Sequence, residues 1–339
     1  MLKRIEKNNI SLPSLKGRRV LITGGLGFIG SNLAHKCVEL GAEVTIFDVL
    51  DPRSGGNLYN IQGIQDSVEL QYFNILDFGQ VSQSVIKKDI IFNCAASTSH
   101  PFSMIEPWID LDINSKGVIN LLEAIRRFNR EVKFIHLGTS TQLGKLQFQP
   151  ADENHPEFPT DIYSANKCVS EKYTLIYSRA RQICGSVLRL TNVYGPRASI
   201  HSPEFTFNNF FIGLALQGKE ITVYGDGSQL RNIIFVDDVV EALILASQCS
   251  KINNETFFVA GDFHYSISNI AEEIVKHMKR GKVKYVEWPK DRKSIDFGDA
   301  IISNQKIKKV LNWTPRTDFK TGLIKTRDYY KNCLEEYLR

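Results

Sequence analysis

The sequence has few cysteines, and no two of them lie close together. There are six in 339 residues, with no CxxC motif and no zinc-ligand spacing, at Cys37, Cys94, Cys168, Cys184, Cys249 and Cys333. This spacing excludes the disulfide framework of small secreted proteins and predicts reduced thiols in a reducing compartment. We also predict no metal site.

Long apolar runs are missing as well. No stretch reaches the roughly 18 uninterrupted apolar residues that a membrane span requires. The first 17 residues, MLKRIEKNNISLPSLKG, are basic and polar and have no apolar core of the kind found in secretory signals. We therefore expect a cytoplasmic protein without a membrane partner.

Clustered charge is absent too. The 42 basic and 37 acidic side chains give a formal net charge of +5, spread along the whole chain. Nucleic-acid binding needs a concentrated basic face, so we expect no nucleic-acid partner. A mild positive balance is compatible with a small anionic ligand.

Strand-like and helix-like segments alternate in the first part of the chain. Apolar runs such as RRVLITGG, EVTIFD, IIFNCAA, VKFIHLGTS and GSVLRLTNVYG are separated by stretches with helical periodicity, such as DINSKGVINLLEAIRRFN and ANKCVSEKYTLIYSRA. This alternation indicates βαβ units and a parallel sheet. We predict a first domain over residues 17–198. Over 199–335 we predict a smaller C-terminal α/β lobe, containing strands such as ITVYG and TFFVAG, with some strands free to return to the first domain.

A glycine-rich turn, TGGLGFIG, lies between the first strand and the first helix. Gly24, Gly27 and Gly30 allow the turn, the close approach of a pyrophosphate and tight helix packing, and the helix N-terminus attracts phosphate. Phe28 and Ile29 complete this candidate dinucleotide cradle. Asp48 ends the next strand, where a carboxylate can bind both ribose hydroxyls of NAD and repel the extra phosphate of NADP. The predicted cofactor is NAD, although Arg53 nearby is a residue type that can accept NADP.

Tyr163 and Lys167 lie four residues apart in DIYSANKCVSEKY, a spacing that places them one above the other on a helix. Taken together with the cradle, Asp48, IFNCAAS, GTSTQLG and LRLTNVYGPR, this order of motifs resembles the extended short-chain dehydrogenase/reductases that modify nucleotide sugars. The resemblance covers about residues 17–335. It implies a Rossmann-type doubly wound parallel sheet with a smaller C-terminal substrate lobe.

The resemblance implies specific catalytic roles. Tyr163 is the acid/base that takes a proton from a sugar hydroxyl while a hydride leaves the same carbon, Lys167 is its partner, and Thr139 hydrogen-bonds the same oxygen. A free phenol titrates near pH 10. We expect the ammonium of Lys167 and the positive nicotinamide to lower that pKa.

The resemblance also assigns binding residues. Beyond the glycine cradle and the Tyr/Lys pair, the expected cofactor contacts are Asn74, Ile75, Ala95, Ala96 and Asn114. The expected contacts of the nucleotide sugar are Asn192 and Arg231 at its diphosphate, Tyr224 at its base, and Arg292 and Asp296 at its ribose. Arginine suits a diphosphate because its planar fork donates two parallel hydrogen bonds.

The residues after Thr139 bear on which reaction follows the oxidation. Related 4,6-dehydratases carry Asp-Glu directly after this threonine, and related glucuronate decarboxylases carry glutamate at the second position, whereas this chain has Ser140 and Thr141. This difference favours C4 epimerisation of a UDP-hexose through a 4-keto sugar. The alternatives are a C4 dehydrogenase or reductase, a CDP-deoxysugar 2-epimerase, a decarboxylase or dehydratase, and a non-catalytic NAD-binding regulator.

Two further expectations concern a histidine and the assembly. His100, beside a proline in STSHPF, is interpreted as a loop residue outside the catalytic core. The family resemblance predicts a homodimer formed through the helices that contain GVINLLEAIRRF and VSEKYTLIYSRA, since both have enough apolar residues for a second, partner-facing stripe.

Overall fold

A computed structural model describes residues 12–289 and 298–338. Its strands, numbered in chain order, are β1 Arg19–Thr23, β2 Glu43–Asp48, β3 Val68–Tyr72, β4 Ile90–Asn93, β5 Lys133–Thr139, β6 Cys184–Leu190, β7 Asn192–Tyr194, β8 Glu220–Tyr224, β9 Leu230–Phe235, β10 Thr256–Val259, β11 His264–Ser266 and β12 Lys282–Val286.

The helices of the described residues, numbered in the same way, are α1 Phe28–Glu39, α2 Phe78–Val85, α3 His100–Ile105, α4 Pro107–Leu111, α5 Gly117–Phe128, α6 Ile162–Ala180, α7 Phe207–Leu216, α8 Val236–Gln248, α9 Ile267–Met278, α10 Gln305–Leu311 and α11 Phe319–Tyr330. A π-helical turn, Asp112–Lys116, joins α4 to α5. None of these helices combines the length and the apolar character that crossing a bilayer requires.

Seven strands form the main sheet in the order β10-β6-β5-β4-β1-β2-β3, and all of its pairings are parallel. The order reverses between β1 and β4, which in doubly wound sheets is the point where ligands bind, beyond the carboxyl ends of the strands. This arrangement confirms the predicted Rossmann-type fold. It also brings the residues that follow β1, β2, β4 and β5 to one edge of the sheet.

The C-terminal part of the chain contributes both to the main sheet and to its apolar core. β10 extends the main sheet beside β6, and one continuous apolar core includes residues from Leu15 to Tyr337. Two smaller sheets, β11-β9-β7 and β12-β8, stand beside the carboxyl edge of the main sheet. The segment GSVLRLTNVYG, predicted as one strand, is divided at Thr191 into β6 and β7, which belong to different sheets.

The segment DINSKGVINLLEAIRRFN, predicted as one helix, begins with the π-helical turn and becomes α-helical at Gly117. Gly117 packs directly on Ile75, whose Cγ2 atom would lie 2.8 Å from an added Cβ. A larger residue would push α5 away from the loop that follows β3. The widened turn therefore coincides with a close helix–loop contact at the edge of the candidate site.

Candidate active site

A cleft of about 1590 Å³ runs along the carboxyl edge of the main sheet and between the sheet and the C-terminal segments. Its walls contain most of the predicted site residues: Gly24, Gly27, Phe28, Ile29, Gly30, Asp48, Asn74, Ile75, Ala95, Ala96, Thr139, Tyr163, Lys167, Asn192, Tyr224 and Arg231. One continuous cavity therefore joins the predicted cofactor and substrate halves.

The glycine turn packs closely against the backbone that follows β4. Gly24 has φ +67°, and a Cβ there would lie 2.7 Å from backbone atoms of Cys94 and Ala95. A Cβ on Gly30 would lie 2.2 Å from the carbonyl oxygen of Gly24. Only glycine fits at these two positions, and α1 begins directly behind the turn with its N-terminus toward the cleft.

Asp48 is held at the end of β2 by two backbone hydrogen bonds. Its Oδ2 accepts from the N–H of Leu26 at 2.9 Å, and its Oδ1 accepts from the N–H of Leu50 at 2.7 Å. Burial raises the pKa of this carboxyl group, and the backbone hydrogen bonds oppose the rise. The guanidinium of Arg53 donates to both carboxylate oxygens of Asp51, at 3.1 and 2.9 Å, so it is already paired with an acid.

Tyr163 and Lys167 project from the first turns of α6 toward the end of β5. Asp161 caps this helix, because its Oδ1 accepts from the N–H of Ser164 at 2.7 Å. Lys167 is nearly fully buried, and its Nζ donates to the carbonyl oxygen of Leu137 at 2.5 Å.

Thr139 ends β5 opposite Tyr163. Its hydroxyl accepts from the N–H of Thr141 at 3.2 Å and lies 3.0 Å from the Thr141 hydroxyl. The Thr141 hydroxyl in turn accepts from Ser164 at 2.9 Å. The Thr139 hydroxyl favours the phenolate of Tyr163 and opposes the rise in its pKa. A hydroxyl network thus connects the end of β5 to the start of α6.

Burial dominates the titration of this pair. It raises the pKa of Tyr163 well above that of a free phenol, and the carboxylates of Asp110 and Asp161 raise it further. Burial also lowers the pKa of Lys167 to about 8. In the protein without nucleotide, burial therefore outweighs the expected lowering of the Tyr163 pKa by Lys167, because both groups lose their hydration.

Asp110 is a fully buried carboxylate behind this pair, on α4. Its Oδ1 accepts from the side-chain amide of Asn166 at 2.8 Å, and the amide oxygen of Asn166 accepts from the Ser115 hydroxyl at 3.1 Å. Burial raises the pKa of Asp110. This charge opposes the ionisation of Tyr163 and supports the ammonium form of Lys167.

The substrate half of the cleft is formed by β7, β8 and β9. The amide of Asn192 donates to the carbonyl oxygen of Asn232 at 2.9 Å. The guanidinium of Arg231 donates to the carbonyl oxygens of Leu230 and Gly298, at 2.9 and 2.6 Å. Tyr224 lies against Trp288, with ring centroids 5.4 Å apart and an interplanar angle of 42°.

Two predicted substrate residues, Arg292 and Asp296, lie outside the described residues. Asn114, predicted to lie near the cofactor, is buried behind the wall of the cleft, where its amide pairs with both backbone polar groups of Ser97, at 2.8 and 3.2 Å. It braces the strand-end segment that contains Ala95 and Ala96. Asn74 uses its amide oxygen to accept from the N–H of Leu76 at 2.9 Å, so one of its lone pairs is already engaged.

Comparison with known proteins identifies the family. Residues 21–326 match the family model described as GDP-mannose 4,6 dehydratase. The chain belongs to the NAD-dependent epimerase/dehydratase family of extended short-chain dehydrogenase/reductases. It is an enzyme of this nucleotide-sugar epimerase/dehydratase family, which confirms the resemblance noted in its sequence.

The similar proteins catalyse different reactions. The chain is 28% identical to the UDP-glucose 4-epimerase of Mycolicibacterium smegmatis over 316 residues, which cover 93% of this chain and 99% of the relative. It is 29% identical over 328 residues to the UDP-N-acetyl-alpha-D-glucosaminuronate decarboxylase of Bacillus cytotoxicus, covering 93% and 98%. The similarities therefore establish the family, whose members include epimerases and decarboxylases.

Solved structures of similar fold include two epimerases. The crystal structure of the UDP-glucose 4-epimerase of Thermotoga maritima with UDP-glucose has a TM-score of 0.84 at 28% identity, and covers 93% of this chain and 99% of that one. The UDP-glucose 4-epimerase of Thermus thermophilus, crystallised with NAD, has a TM-score of 0.81 at 25% identity, with coverage of 93% and 99%.

NAD is the cofactor of this family, and the glycine turn, the start of α1 and Asp48 described above fit it. Gly24 and Gly30 have no space for a side chain, so the backbone of the turn can approach a pyrophosphate closely. The N-terminal N–H groups of α1 point toward the same place. The Asp48 carboxylate lies at the end of β2. The pairing of Arg53 with Asp51 agrees with NAD rather than NADP. In residues 12–289 and 298–338, no cluster of His, Cys, Asp and Glu side chains is arranged to hold a metal ion.

We expect Asp48→Asn to weaken NAD binding by roughly 10- to 100-fold, because hydrogen bonds to a charged group contribute about 1.5–3 kcal/mol. Asparagine retains one acceptor for the turn, so the fold should survive. Calorimetric titration with NAD measures the effect. Asp51→Asn, which changes an acid that pairs with Arg53 at the same end of the cleft, is the matched control. Equal NAD affinity in the wild type and Asp48→Asn would show that Asp48 does not contact the ribose.

Several residues of the site were not predicted from the sequence. Trp288 closes the cleft beside Tyr224, and Asp161 both caps α6 and accepts a hydrogen bond from His100. His100, interpreted as a loop residue, is the first residue of α3 and lines the cleft. The sequence could have indicated Asp161 as the N-cap of α6, since an acid three residues before Ser164 is typical of a cap. It could not have indicated the contact of Asp161 with His100.

Proposed function

We propose that the enzyme epimerises C4 of a UDP-hexose through a transient 4-keto sugar. The observation that carries this proposal is the constellation at the start of α6: Tyr163 and Lys167 face Thr139 in one cleft, and Ser140 and Thr141 follow Thr139 where an elimination would need acids.

Tyr163 accepts the proton of the C4 hydroxyl, and Thr139 holds the same oxygen. When bound, the oxidised nicotinamide supplies a positive charge and accepts the hydride from C4. Lys167 adds a buried positive charge, fixed by its hydrogen bond to Leu137, and orients the nicotinamide ribose. Once the keto sugar has turned over, the bound cofactor would return the hydride to the opposite face, and Tyr163 would give back the proton.

The positions of the acids in the cleft support epimerisation over elimination. Among the described residues, the carboxylates that line it are Asp48, Asp51, Asp161 and Glu204. The first two follow β2 at the adenosine end, and Asp161 is engaged by Ser164 and His100. Glu204 is an exposed loop residue. None of these carboxylates occupies the place of Ser140 or Thr141.

Support for a UDP-sugar comes from the substrate half and from the relatives. Tyr224 and Trp288 form an aromatic corner that suits a nucleobase, and Arg231 and Asn192 line the path where a diphosphate would lie. The epimerases and the decarboxylase named above all carry UDP-sugar names.

The test is incubation of the NAD-loaded enzyme with UDP-glucose, UDP-GlcNAc, UDP-glucuronate, and CDP- and GDP-sugars, with products identified by NMR. We expect interconversion of C4 epimers of one UDP-sugar without net formation of NADH. A 4-keto-6-deoxy product, a pentose product or stoichiometric NADH would instead identify a dehydratase, a decarboxylase or a dehydrogenase. If none of the sugars reacts, the regulator alternative is favoured.

We further propose that the enzyme is a homodimer formed through α6, as the family resemblance predicts, with the neighbouring α3 and α4 in place of the predicted α5. α6 presents Val169 and Ile176 to solvent, and the neighbouring α3 and α4 present Ile105 and Trp108, which are 73% and 75% exposed. The outer face of α5, in contrast, is occupied largely by ion pairs of Glu123 with two arginines. Large exposed apolar patches usually mark interfaces.

We expect Ile176→Asp to convert the dimer to monomers, because burying an unpaired carboxylate in an interface costs several kcal/mol. Sedimentation velocity measures the change. Tyr285→Asp, which alters an exposed apolar residue on β12 away from this face, is the control. A wild-type protein that sediments as a monomer at all concentrations would refute the dimer.

A further inference from the structure

A second pair of proton-transfer groups lies beside Tyr163. The imidazole Nδ1 of His100 is 2.8 Å from Oδ2 of Asp161. The His100 ring packs edge-on against the Tyr163 ring, with centroids 4.6 Å apart and an interplanar angle of 67°. Both members of the pair line the cleft. C4 epimerisation by Tyr163 makes no use of them.

Local structure fixes the position of His100. Ser99 caps α3 by accepting from the N–H of Phe102 at 3.1 Å, so the helix begins at His100. The hydroxyl of Ser103 donates to the carbonyl oxygen of His100 at 2.7 Å and accepts from the N–H of Tyr163 at 3.0 Å. The starts of α3 and α6 are therefore bound to each other, and the imidazole is held at a constant place relative to the catalytic tyrosine.

The partner of Nδ1 sets the chemistry of the other ring nitrogen. Burial raises the pKa of Asp161, but hydrogen bonds from His100 and Ser164 outweigh it and hold that pKa below its ordinary value, so the carboxylate is an acceptor. With Nδ1 donating to this carboxylate, Nε2 is the ring nitrogen left to exchange a proton with a ligand. Within the part of the chain that the structure describes, no hydrogen bond engages Nε2. The His100 side chain is 36% exposed, so a ligand in the cleft can reach it.

The other ionisable groups next to Tyr163 are not suited to a second proton transfer. The Nζ of Lys167 donates to the Leu137 carbonyl and lies in the cofactor half, and Asp110 is fully buried behind the wall. A base within hydrogen-bonding reach of substrate and oriented by a third group is the arrangement expected of a general acid/base. His100 lines the same cleft as Tyr163 and is oriented by Asp161, which are the parts of this arrangement that the protein itself supplies.

We propose that His100, oriented by Asp161, is a second general acid/base that acts on a carbon next to C4 of a nucleotide 4-keto-hexose. The inference rests on the proposed 4-keto intermediate. The C4 carbonyl acidifies the C–H bonds at C3 and C5. Nε2 takes one of these protons, the C–H electron pair becomes the carbon–carbon double bond of an enolate, and the carbonyl pair moves to the C4 oxygen. His100 then returns the proton to the same carbon, with no electrons exchanged with the cofactor.

The experiment follows deuterium uptake from D2O. The NAD-loaded enzyme is incubated with the nucleotide sugar it converts, and deuterium at C3 and C5 is measured by NMR and mass spectrometry. We expect uptake by the wild type. His100→Phe keeps an aromatic ring against Tyr163 but removes the base, and should lower the uptake rate at least about 100-fold. Formation of NADH in a single turnover, followed by near-ultraviolet absorbance, should persist.

Two further variants sharpen the test. Asp161→Asn keeps a good helix cap but removes the carboxylate that orients the imidazole, and should lower uptake while NADH still forms. His277→Phe is the matched control, because His277 also pairs with a carboxylate, Glu273 at 3.0 Å, but on α9 outside the cleft. Its uptake should equal that of the wild type.

NADH formation or turnover without deuterium at C3 or C5, or equal uptake by the wild type and His100→Phe, overturns this inference alone. An enzyme that forms neither NADH nor product from any nucleotide sugar overturns the proposed function, and the inference with it.

Discussion

Replacing Tyr163 by phenylalanine is expected to lower kcat about 10³-fold, because a positioned acid/base contributes roughly 10²- to 10⁴-fold to a proton transfer. The variant loses one oxygen and nothing else. The ring still packs against His100, whose centroid lies 4.6 Å away, and the backbone N–H of residue 163 still donates to Ser103. The loss should therefore appear in kcat, with little change in KM or in NAD affinity.

The control is Tyr173→Phe, which removes one hydroxyl from the same helix further along its length. Tyr173 packs at the edge of the core formed by α2 and α5, away from the cleft. Its kcat should match the wild type. A Tyr163→Phe enzyme with a wild-type rate would show that another group removes the C4 proton, and the catalytic assignment would be wrong. Thermal unfolding of both variants checks that the fold is unchanged.

The cofactor half of the cleft was predictable from the sequence because its requirements are local. Gly24, Gly27 and Gly30 lie within one stretch of seven residues, where a Cβ added to Gly27 or Gly30 would meet the carbonyl oxygen of Gly24, and Gly24 itself has a positive φ. Asp48 ends a strand whose neighbour in the sheet, β1, is also its neighbour in the sequence. The strand–turn–helix pattern therefore specified both the fold and the cradle.

The rest of the site depends on contacts between segments that are distant in the sequence. His100 and Asp161 are 61 positions apart, and no periodicity or spacing links them. The division of GSVLRLTNVYG into β6 and β7 depends on β9 and β10, which pair with the two halves in different sheets. Such pairings follow from the topology of the whole chain rather than from local propensity.

In the protein without nucleotide, burial sets the pKa values of Tyr163 and Lys167, which their spacing in the sequence could not indicate for a related reason. From the sequence, the spacing of Tyr163 and Lys167 suggested mutual stabilisation of phenolate and ammonium. The structure shows two features that the helical spacing does not indicate. Both side chains are buried, and the carboxylate of Asp110 lies behind them. Desolvation then outweighs the attraction between the pair.

Burial of Lys167 predicts a pH-dependent cost to folding. The pKa of Lys167 falls from 10.5 to about 8 on folding. Below about pH 8 both the folded and the unfolded chain hold the ammonium, and the burial penalty opposes folding in full. Between about pH 8 and 10.5 the folded state releases its proton first, so the penalty diminishes and stability rises with pH. Above that range both states are neutral and the penalty is gone.

Lys167→Met should therefore show a stability advantage that depends on pH. The variant lacks the titrating group, so the free energy of unfolding of the variant minus that of the wild type should fall by about 3 kcal/mol as the pH rises from about 7 to above 10. Loss of the hydrogen bond to the Leu137 carbonyl shifts this difference by a constant and leaves its slope unchanged. Urea titrations at several pH values measure it, and catalysis by the variant should be severely reduced.

Lys320→Met on α11 is the matched control, since it removes a lysine that is exposed on the surface of the folded protein. Its free energy difference from the wild type should be flat across the same pH range. A flat difference for Lys167→Met as well would mean that the ammonium is not desolvated in the folded enzyme. In that case Lys167 would stand in solvent-accessible space, and the pair at the start of α6 could not form the dry, positively charged site that hydride transfer at C4 requires.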